Sequence, residues 1–300
     1  MPKRNKKGRD IDGVLILDKA PGQSSNHALQ EIKRLFGANK AGHTGSLDPL
    51  ASGLLPICLG QSTKVAQFLL DDDKRYFVKG KLGEISDTGD SDGEISMYKS
   101  TKGVDEAAVK ETLKRYTGVI SQIPPMYSAL KKNGIPLYKL ARKGIEIERQ
   151  PREVSIYEIK FISLEDDIVS LEVSCSKGTY IRTLIEDIGR DLNCGGHVVE
   201  LRRIGFAHLN IAQSRSFEEL KKMSLDELDK LLLGSDEMLP SLKSIYLDYD
   251  QSSDIKFGRK IKCNELSATQ KVKLYDFEKN FIGIGEGNSL SELAPKRLFV

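Results

Sequence analysis

The 300-residue sequence predicts an α+β fold, in which a long mixed domain rich in antiparallel strands precedes a small β-rich domain. Apolar and polar residues alternate in Tyr76–Leu82 and Glu94–Tyr98, as they do in half-buried strands. Apolar residues recur every four positions from Tyr180 to Leu192, which indicates an amphipathic helix. From about Ile245 the chain changes to short strands and turns, which predicts a second core.

The first half of the chain contains a buried strand, three helices and a hairpin loop. Apolar periodicity and cap residues place them in this order: a strand at Gly13–Asp18, a helix that begins after Ser24 or Ser25 and ends at Gly37, a short helix at Thr63–Leu70, a hairpin loop at Asp87–Gly93 between the two alternating strands, and a helix at Asp105–Tyr116.

The second half begins with a basic, proline-punctuated segment, Ile123–Arg152. It holds four prolines and seven Lys or Arg residues against two acids, which predicts a mobile insertion of loops and a helix. The remaining elements are strands at Val154–Ile162 and Ile168–Cys175, the amphipathic helix, and two acidic helices from Ser216 to about Leu233. We therefore expect an arm at 1–9, a main domain at 10–244 and a β-rich domain at 245–300.

Composition narrows the kind of protein. Apolar residues make up 39% of the chain and charged residues 30%, so the chain can bury a core. Its four cysteines are far apart and its four histidines lack ligand spacing, so we expect no disulfide framework and no metal site. No secretory signal is present and no apolar run reaches the roughly 18 residues of a membrane span, so we expect a cytoplasmic protein without membrane association.

Positive charge is uneven although the formal net charge is only +3. Residues 3–9 contain five Lys or Arg residues and no acid. A solvated, disordered tail and an arm that contacts nucleic-acid phosphates both fit this pattern.

The segment Ala41–Gly60 is the strongest candidate for a functional loop. It places His43 and Asp48 among four glycines, two prolines and many small or aliphatic residues. Glycine allows a backbone to pass close to a ligand, because no Cβ obstructs the approach. A lone aspartate in such a segment is a candidate catalytic group, although Asp48-Pro49 also fits an ordinary capped turn.

Arg182 and Tyr76 are two further candidates. Arg182 lies in the first turn of its helix, where a positive charge opposes the helix dipole by about 0.3–1 kcal/mol. Such a cation has either a carboxylate or phosphate partner or a solvated surface position. Tyr76 follows Lys74 and Arg75, a pattern that fits base stacking beside phosphate contacts as well as a half-buried strand tyrosine.

Several common motifs are absent or incomplete. No Gly-Lys-Ser/Thr follows the glycine-rich segment, which excludes a P-loop, and Ser52 lacks the flanking glycines of a serine-hydrolase elbow. The sequence from Gly42 to Gly45 has only one of the two histidines of a nucleotidylyltransferase signature. Metal-dependent hydrolysis would require clustered ligands; the acids of Asp87–Gly93 are the candidate cluster, and a polar hairpin turn accounts for them.

Five segments together resemble the bacterial TruB-type tRNA pseudouridine synthases. They occur in the family's order: GHTGSLDPLASGLLPICLG from Gly42, KRYFV at 74–78, YSALK at 127–131, CSKGTYIRTL at 175–184, and LRR at 201–203. The resemblance extends from about Asp10 nearly to the end of the chain, and the closing β-rich segment resembles an RNA-binding PUA domain.

The resemblance implies isomerisation of uridine 55 in the T-loop of tRNA to pseudouridine, without cofactor or metal. The target base must flip out of the folded loop, which costs a few kcal/mol. Asp48 matches the catalytic aspartate, which acts as nucleophile or base. Arg182 matches the arginine that pairs with this carboxylate, and Tyr76 matches the aromatic residue that stacks on the flipped base.

The resemblance assigns five more residues to RNA or substrate binding. His43 matches the residue that enters the T-loop and holds the flipped state, and Tyr180 and Leu201 match walls of the uracil pocket. Lys19 matches the lysine of a Lys-Pro box, and Lys131 matches a backbone contact. The proline of that box is displaced by one residue here, in Lys19-Ala20-Pro21, which affects the expected turn.

Three functions remain open from sequence: a cofactor-free tRNA pseudouridine synthase, an RNA chaperone with vestigial catalytic residues, and a nucleotidylyltransferase. The presence of Asp48, Tyr76 and Arg182 favours the first. The basic insertion matches the family's mobile loop that closes over RNA. No heptad pattern is present, so we expect a monomer.

Overall fold

The structure, a computed structural model, describes residues 8–299. Residues 1–7 of the predicted basic arm lie outside the described residues. Arg9, its last cation, packs on the main domain: its guanidinium Nη1 donates to Asp229 Oδ1 at 3.1 Å and its backbone N–H donates to Gly37 at 2.6 Å. The prediction of a disordered arm is therefore wrong for Arg9, because an acid more than two hundred residues away in the chain binds it.

Strands dominate the described part of the chain. In order they are β1 (Gly13–Lys19), β2 (Ala41–His43), β3 (Ser52–Leu59), β4 (Lys74–Leu82), β5 (Glu84–Ser86), β6 (Ile95–Met97), β7 (Gly118–Gln122), β8 (Lys131–Lys132), β9 (Ile135–Pro136), β10 (Arg152–Glu165), β11 (Ile168–Cys175), β12 (Gly196–Phe206), β13 (Leu209–Asn210), β14 (Arg215–Ser216), β15 (Lys243–Tyr246), β16 (Ile261–Lys262), β17 (Lys271–Tyr275), β18 (Phe281–Gly287) and β19 (Glu292–Leu298).

The helices are fewer. They are α1 (Ser25–Leu35), α2 (Ala66–Leu69), α3 (Glu106–Leu113), α4 (Leu137–Ala141), α5 (Ile181–Asp191), α6 (Phe217–Leu220), α7 (Leu225–Asp229) and α8 (Tyr249–Lys256), with 3₁₀ turns at Gly60–Lys64, Lys114–Tyr116 and Ile211–Gln213. None of the helices within residues 8–299 is long and apolar enough to cross a membrane.

One mixed sheet of ten strands forms the main domain. Its order is β14-β1-β3-β12-β4-β11-β10-β7, with β2 added to β3 and β13 to β12. Most neighbours are antiparallel, and the parallel pairs are β1 with β14 and β3 with β12. The predicted mixed, mainly antiparallel α+β architecture is confirmed. The central strands β4 and β12 carry Tyr76 and Leu201 of the candidate site, and Asp48 lies in the loop that leads into β3.

Helix α5 packs directly on the centre of this sheet. Its apolar face, which includes Ile181, Leu184, Ile185 and Ile188, is 4% exposed or less, as the four-residue periodicity predicts. Gly80 on β4 permits the close approach, because a Cβ there would lie 2.7 Å from Ile185 Cγ2. The packing fixes the first turn of α5 over the strands that line the site.

A second sheet, in the order β15-β17-β18-β19-β16, forms the C-terminal unit. It has its own apolar core, which includes Leu247, Ile255 and Val272. Its strand β18 also joins a core shared with the main domain, in which Ile284 packs with Val14 among other residues. The predicted small β-rich unit is thus present, and it shares buried apolar surface with the main domain.

The structure corrects three element predictions and adds a central strand that the sequence did not indicate. The loop Asp87–Gly93 joins the short strands β5 and β6. It does not join β4 directly to β6, as predicted, because β5 lies between β4 and the loop. Strand β12 was not predicted, because its run of charged residues hides the apolar alternation. Helix α8 lies within the segment predicted as strands, and Thr63–Leu70 is a 3₁₀ turn followed by the short α2.

Candidate active site

Asp48 lies in the loop between β2 and β3, and buried polar groups hold that loop in place. Ser25 Oγ accepts from the Leu47 N–H at 2.7 Å. The Lys19 ammonium, which is fully buried, donates to the carbonyls of Ala20 and Gln23 at 2.8 Å each and to that of Pro49 at 3.5 Å. The displaced proline of the Lys-Pro box therefore leaves the lysine in a position to organise the turn beside Asp48.

Arg182 connects Asp48 to a second carboxylate. Its Nη2 lies 3.0 Å from Asp48 Oδ2 and its Nη1 lies 3.4 Å from Asp90 Oδ2. The same two nitrogens donate to the carbonyls of Tyr127 at 2.7 Å and Thr88 at 2.8 Å. The ion pair implied for Asp48 and Arg182 is present, and four oxygens hold the guanidinium in one orientation.

Asp48 combines solvent access with a crowded environment. Its side chain is 42% exposed, whereas that of Arg182 is 5% exposed. Burial raises the pKa of Asp48 above its ordinary value, and the charges of Arg182 and Lys19 oppose that rise. The result is a carboxylate that a ligand can reach and whose charge is balanced from behind.

Tyr76, Leu201 and Tyr180 are the three residues expected to contact the flipped base. Tyr76 on β4 is partly buried and Leu201 on the adjacent β12 is almost fully buried. Both side chains lie on the same face of the sheet. Tyr180 caps α5, and its backbone N–H donates to Gln122 Oε1 at 3.0 Å. Electrostatic interactions couple both tyrosine hydroxyls to Asp48, and burial raises the pKa of each. The two tyrosine hydroxyls thus lie near the Asp48 carboxylate, and Leu201 lies on the same face of the sheet as Tyr76.

His43 is a neutral group in this setting. It lies at the end of β2, opposite Ile57 of β3, and its Nδ1 is buried with no hydrogen-bond partner among residues 8–299. Burial lowers the pKa of His43, and the positive charge of Arg203 lowers it further. At neutral pH the ring is therefore uncharged, which suits contact with a base better than contact with a phosphate.

Lys131 does not join the cluster around Asp48. It is exposed in the β8–β9 hairpin of the insertion. A groove of about 810 Å³ separates part of the insertion from helix α5. Thr88 and Tyr127, whose carbonyls bind Arg182, line this groove, so the insertion contacts the site through its first residues.

Three family models match successive parts of the chain between residues 33 and 299. They are the N-terminal domain of TruB family pseudouridylate synthases at residues 33–181, the C-terminal domain of tRNA pseudouridylate synthase B at 182–240, and the TruB C-terminal segment of pseudouridine synthase II at 244–299. The chain is 47% identical to "tRNA pseudouridine synthase B" of Haemophilus influenzae (strain PittEE) over 99% of its length and 98% of that protein. The chain belongs to the TruB family of pseudouridylate synthases.

Other relatives agree in both sequence and fold. The "tRNA pseudouridine synthase B" of Actinobacillus pleuropneumoniae serotype 5b is 46% identical over 99% of each chain. A solved H/ACA ribonucleoprotein bound to a substrate RNA contains a chain with a TM-score of 0.74 and 21% identity, covering 100% of this chain and 92% of that one. A Cbf5-Nop10-Gar1 complex contains one with a TM-score of 0.72 and 23% identity, covering 96% and 85%. At such identities the structures show a shared fold.

As a TruB family member, this protein is a pseudouridine synthase, an enzyme of the isomerase class. Sequence reasoning missed two residues of its site. Asp90, assigned to a polar turn, is 4% exposed and pairs with Arg182. Arg203 is 1% exposed and interacts with Tyr76. No feature of the loop distinguishes Asp90 from Asp87 or Asp92, whereas the paired arginines in an apolar strand were a signal for Arg203.

Proposed function

We propose that this TruB family enzyme isomerises uridine 55 in the T-loop of tRNA to pseudouridine, with Asp48 acting as nucleophile or base. One observation carries the proposal: the Asp48 carboxylate is reachable from solvent while the buried Arg182 guanidinium fixes its orientation from behind. The names of the relatives, tRNA pseudouridine synthase B, support tRNA as the substrate. We expect the enzyme to act as a monomer in the cytoplasm, where tRNA is modified.

The reaction exchanges one bond to the ribose for another. The bond between C1′ and N1 of the uracil breaks, the base turns within the pocket, and a bond forms between C1′ and C5. The hydrogen on C5 leaves as a proton and N1 acquires one, so atoms and electrons balance without an oxidant or a cofactor. A pocket that holds the detached base is therefore the main requirement.

Each residue around Asp48 has a separate role in this proposal. Arg182 keeps the carboxylate ionised and oriented, since a nearby guanidinium favours the charged form. Tyr76 stacks on the flipped base, and Tyr180 and Leu201 enclose it. Because flipping leaves a gap in the RNA, the uncharged ring of His43 is suited to occupy that gap and keep the base out.

The wider RNA contacts come from cations at some distance from Asp48. Lys131 and its neighbours in the insertion are exposed, and we assign them to the phosphates of the T-arm. We assign the C-terminal sheet to the same RNA. Lys19 acts from within the protein, because it is fully buried and cannot reach a ligand directly.

The test uses a tRNA transcript with tritium at C5 of its uridines. We expect the protein to release label without ATP or metal, and a transcript with cytidine at position 55 to release none. Asp48→Asn should abolish release and keep tRNA affinity within about 3-fold, because the amide fills the same space without the charge. Asp226→Asn, an exposed acid on α7, is the matched control.

Two outcomes would contradict the proposal. Release of label from the cytidine-55 transcript at the normal rate would overturn the site of modification. Turnover by Asp48→Asn comparable to that of the unmodified protein would overturn the role of Asp48.

A further inference from the structure

Arg203 is a buried cation without an acidic partner in the described part of the chain. It is 1% exposed, and its Nε donates to the Leu54 carbonyl at 2.7 Å. Its Nη2 has no hydrogen-bond partner among residues 8–299. Burying a guanidinium costs several kcal/mol unless hydrogen bonds or charges compensate it. An arginine buried without an acidic partner therefore indicates a specific role for its guanidinium.

The sheet places Arg203 directly opposite Tyr76. The two residues are cross-strand partners in the antiparallel pair of β12 and β4, so their side chains leave the same face of the sheet. On its other side Arg203 pairs with Gly53 of β3. Gly53 has a φ of +99°, and a Cβ there would lie 2.4 Å from the Arg203 carbonyl oxygen. Close packing of three strands thus fixes the backbone from which the guanidinium projects.

The other neighbours of Arg203 offer it no anion. Its guanidinium lies 5.4 Å from the centre of the Phe206 ring. Its charge lowers the pKa of Lys19 and of Lys74, which shows that these two cations are close enough to repel it. Burial lowers the pKa of Arg203, and the Tyr76 hydroxyl is the side-chain group that opposes this shift. The tyrosine oxygen is therefore the acceptor that this buried guanidinium has available.

We propose that Arg203 is a positioning residue for Tyr76: its guanidinium donates to the tyrosine oxygen and thereby directs the tyrosine's own O–H toward the base. A guanidinium carries only donors, so the hydroxyl cannot donate back to it. The single hydroxyl proton must then point away from Arg203. The charge of Asp48 acts on Tyr76, so the carboxylate is close to the tyrosine, and we place the base beside these two groups. This inference rests on the proposed function, in which Tyr76 stacks on the uracil.

The arrangement gives the flipped base a hydrogen-bond donor of fixed direction. Free phenol hydroxyls rotate, and binding a base would then have to order the proton as well as the ring. Arg203 orders it in advance, which is the usual advantage of preorganised polar groups in active sites. Because the guanidinium itself is inaccessible, it acts through Tyr76 and never on the RNA.

A double-mutant cycle tests the proposal. Arg203→Met, Tyr76→Phe and the double variant are compared with the unmodified protein by single-turnover pseudouridine formation on T-arm RNA. We expect Arg203→Met to lower the rate by about 30-fold when Tyr76 is present, as for the loss of a hydrogen bond to a charged group. In the Tyr76→Phe background the same change should cost less than about 3-fold, since no hydroxyl is left to orient.

Two further measurements separate positioning from general damage. RNA affinity of Arg203→Met should stay within about 3-fold of normal, because the residue does not touch RNA. Arg203→Lys should recover part of the rate, since an ammonium also donates without accepting. Arg202→Met is the matched control: the adjacent arginine pairs with Asp18 at 2.6 Å and should leave the rate within about 3-fold.

Equal losses from Arg203→Met in both backgrounds would overturn the proposal, because independent residues give additive effects. If Arg203→Met fails to fold, the same cycle with Arg203→Lys decides by the same criterion. Failure of the proposed function would give a different result: the unmodified protein would form no pseudouridine in T-arm RNA, which would contradict both proposals. Additive losses with a normal rate for the unmodified protein contradict only the role of Arg203.

Discussion

Asp90 and Arg182 form a buried ion pair, in which only 6% and 5% of the two side chains are exposed. Asp90 is itself held by the Thr88 hydroxyl, which donates to its Oδ1 at 2.6 Å. The pair lies on the side of the guanidinium away from solvent, whereas Asp48 lies on the side that a ligand can reach. Asp90 therefore balances the charge of Arg182 from within the protein.

Replacing Asp90 should affect catalysis through Arg182. Asp90→Asn leaves the buried guanidinium with one carboxylate instead of two, and breaking a buried pair costs about 3–5 kcal/mol in unfavourable cases. We expect the single-turnover rate to fall by about 100-fold with little change in tRNA affinity. Asp92→Asn changes an exposed acid in the same loop and should leave the rate unchanged. Equal effects of the two substitutions would show that Asp90 is only part of a polar turn.

Removing Arg182 should be more damaging than removing Asp90. Arg182→Ala deletes the partner of Asp48 and leaves the carbonyls of Thr88 and Tyr127 without their donor. We expect a rate loss of about 1,000-fold or more with a smaller loss of RNA affinity, measured separately by filter binding and single-turnover assays. A loss confined to binding would argue against the pairing of Arg182 with Asp48 as a catalytic device.

Lys19 should produce an alkaline limit to activity. Its pKa is lowered to about 8, chiefly by burial; the charge of Asp48 opposes this shift and that of Arg203 adds to it. As pH rises through about 8 the ammonium loses the proton and charge that hold the loop beside Asp48, so the rate should fall. Lys19→Met should have a lower rate at every pH, and its rate should not fall further as pH rises through 8.

The stability of the fold should not follow this decline. The unfolded lysine has a pKa of 10.5, so between about pH 8 and 10.5 the unfolded chain binds the proton more strongly than the folded protein. This group alone therefore makes the free energy of unfolding rise with pH across that window. A rate loss that tracks a loss of stability near pH 8 would contradict the assignment to Lys19.

Glu186 should reduce stability at neutral and alkaline pH. Burial raises its pKa to about 7, helped by the nearby charge of Asp187. Between pH 4.5 and 7 the folded protein holds a proton that the unfolded chain releases, so the free energy of unfolding falls as pH rises through that window. Glu186→Gln should raise the melting midpoint at pH 8 by about 3 °C and leave it unchanged at pH 4. Glu158→Gln, an exposed acid on β10, should change neither midpoint.

The insertion should contribute to tRNA affinity in a salt-dependent way. Charge reversal at Lys131 and Lys132 should weaken tRNA binding by about 10-fold near 100 mM salt and reduce the slope of log affinity against log salt by about 1–2. Reversal at Lys221 and Lys222, two exposed lysines that directly follow α6, is the matched control. If charge reversal at Lys131 and Lys132 leaves the salt slope unchanged, these lysines do not contact RNA phosphates.

Local patterns predicted the elements that bury one continuous face. Helix α1 begins after Ser24, whose side chain accepts from the His27 N–H as an N-cap, and α5 buries the face that its periodicity indicates. The main-sheet strands with clear alternation were found as well. Strand β12 was missed because it is buried at the centre of the sheet and yet carries Arg202 and Arg203, which an alternation test scores as polar.

The site could be predicted only in part. Asp48 has a local signal in its glycine-rich segment, and Arg182 has one in its unfavourable position on α5. Asp90 has none, because its importance comes from a contact with a helix that follows 90 residues later in the chain. Contacts of this kind arise from tertiary packing, which a single sequence does not encode in any short window.

The shared core between β18 and the main domain limits how the protein can be divided. Ile284 and Val14 are each fully buried in the same cluster, and the Tyr275 hydroxyl donates to Asp236 Oδ2 at 2.7 Å from across the junction. A fragment that stops before the C-terminal sheet would expose this apolar surface to water. The two units should consequently melt in one transition, and shortened forms of the enzyme should be poorly soluble even though Asp48, Tyr76 and Arg182 remain in the chain.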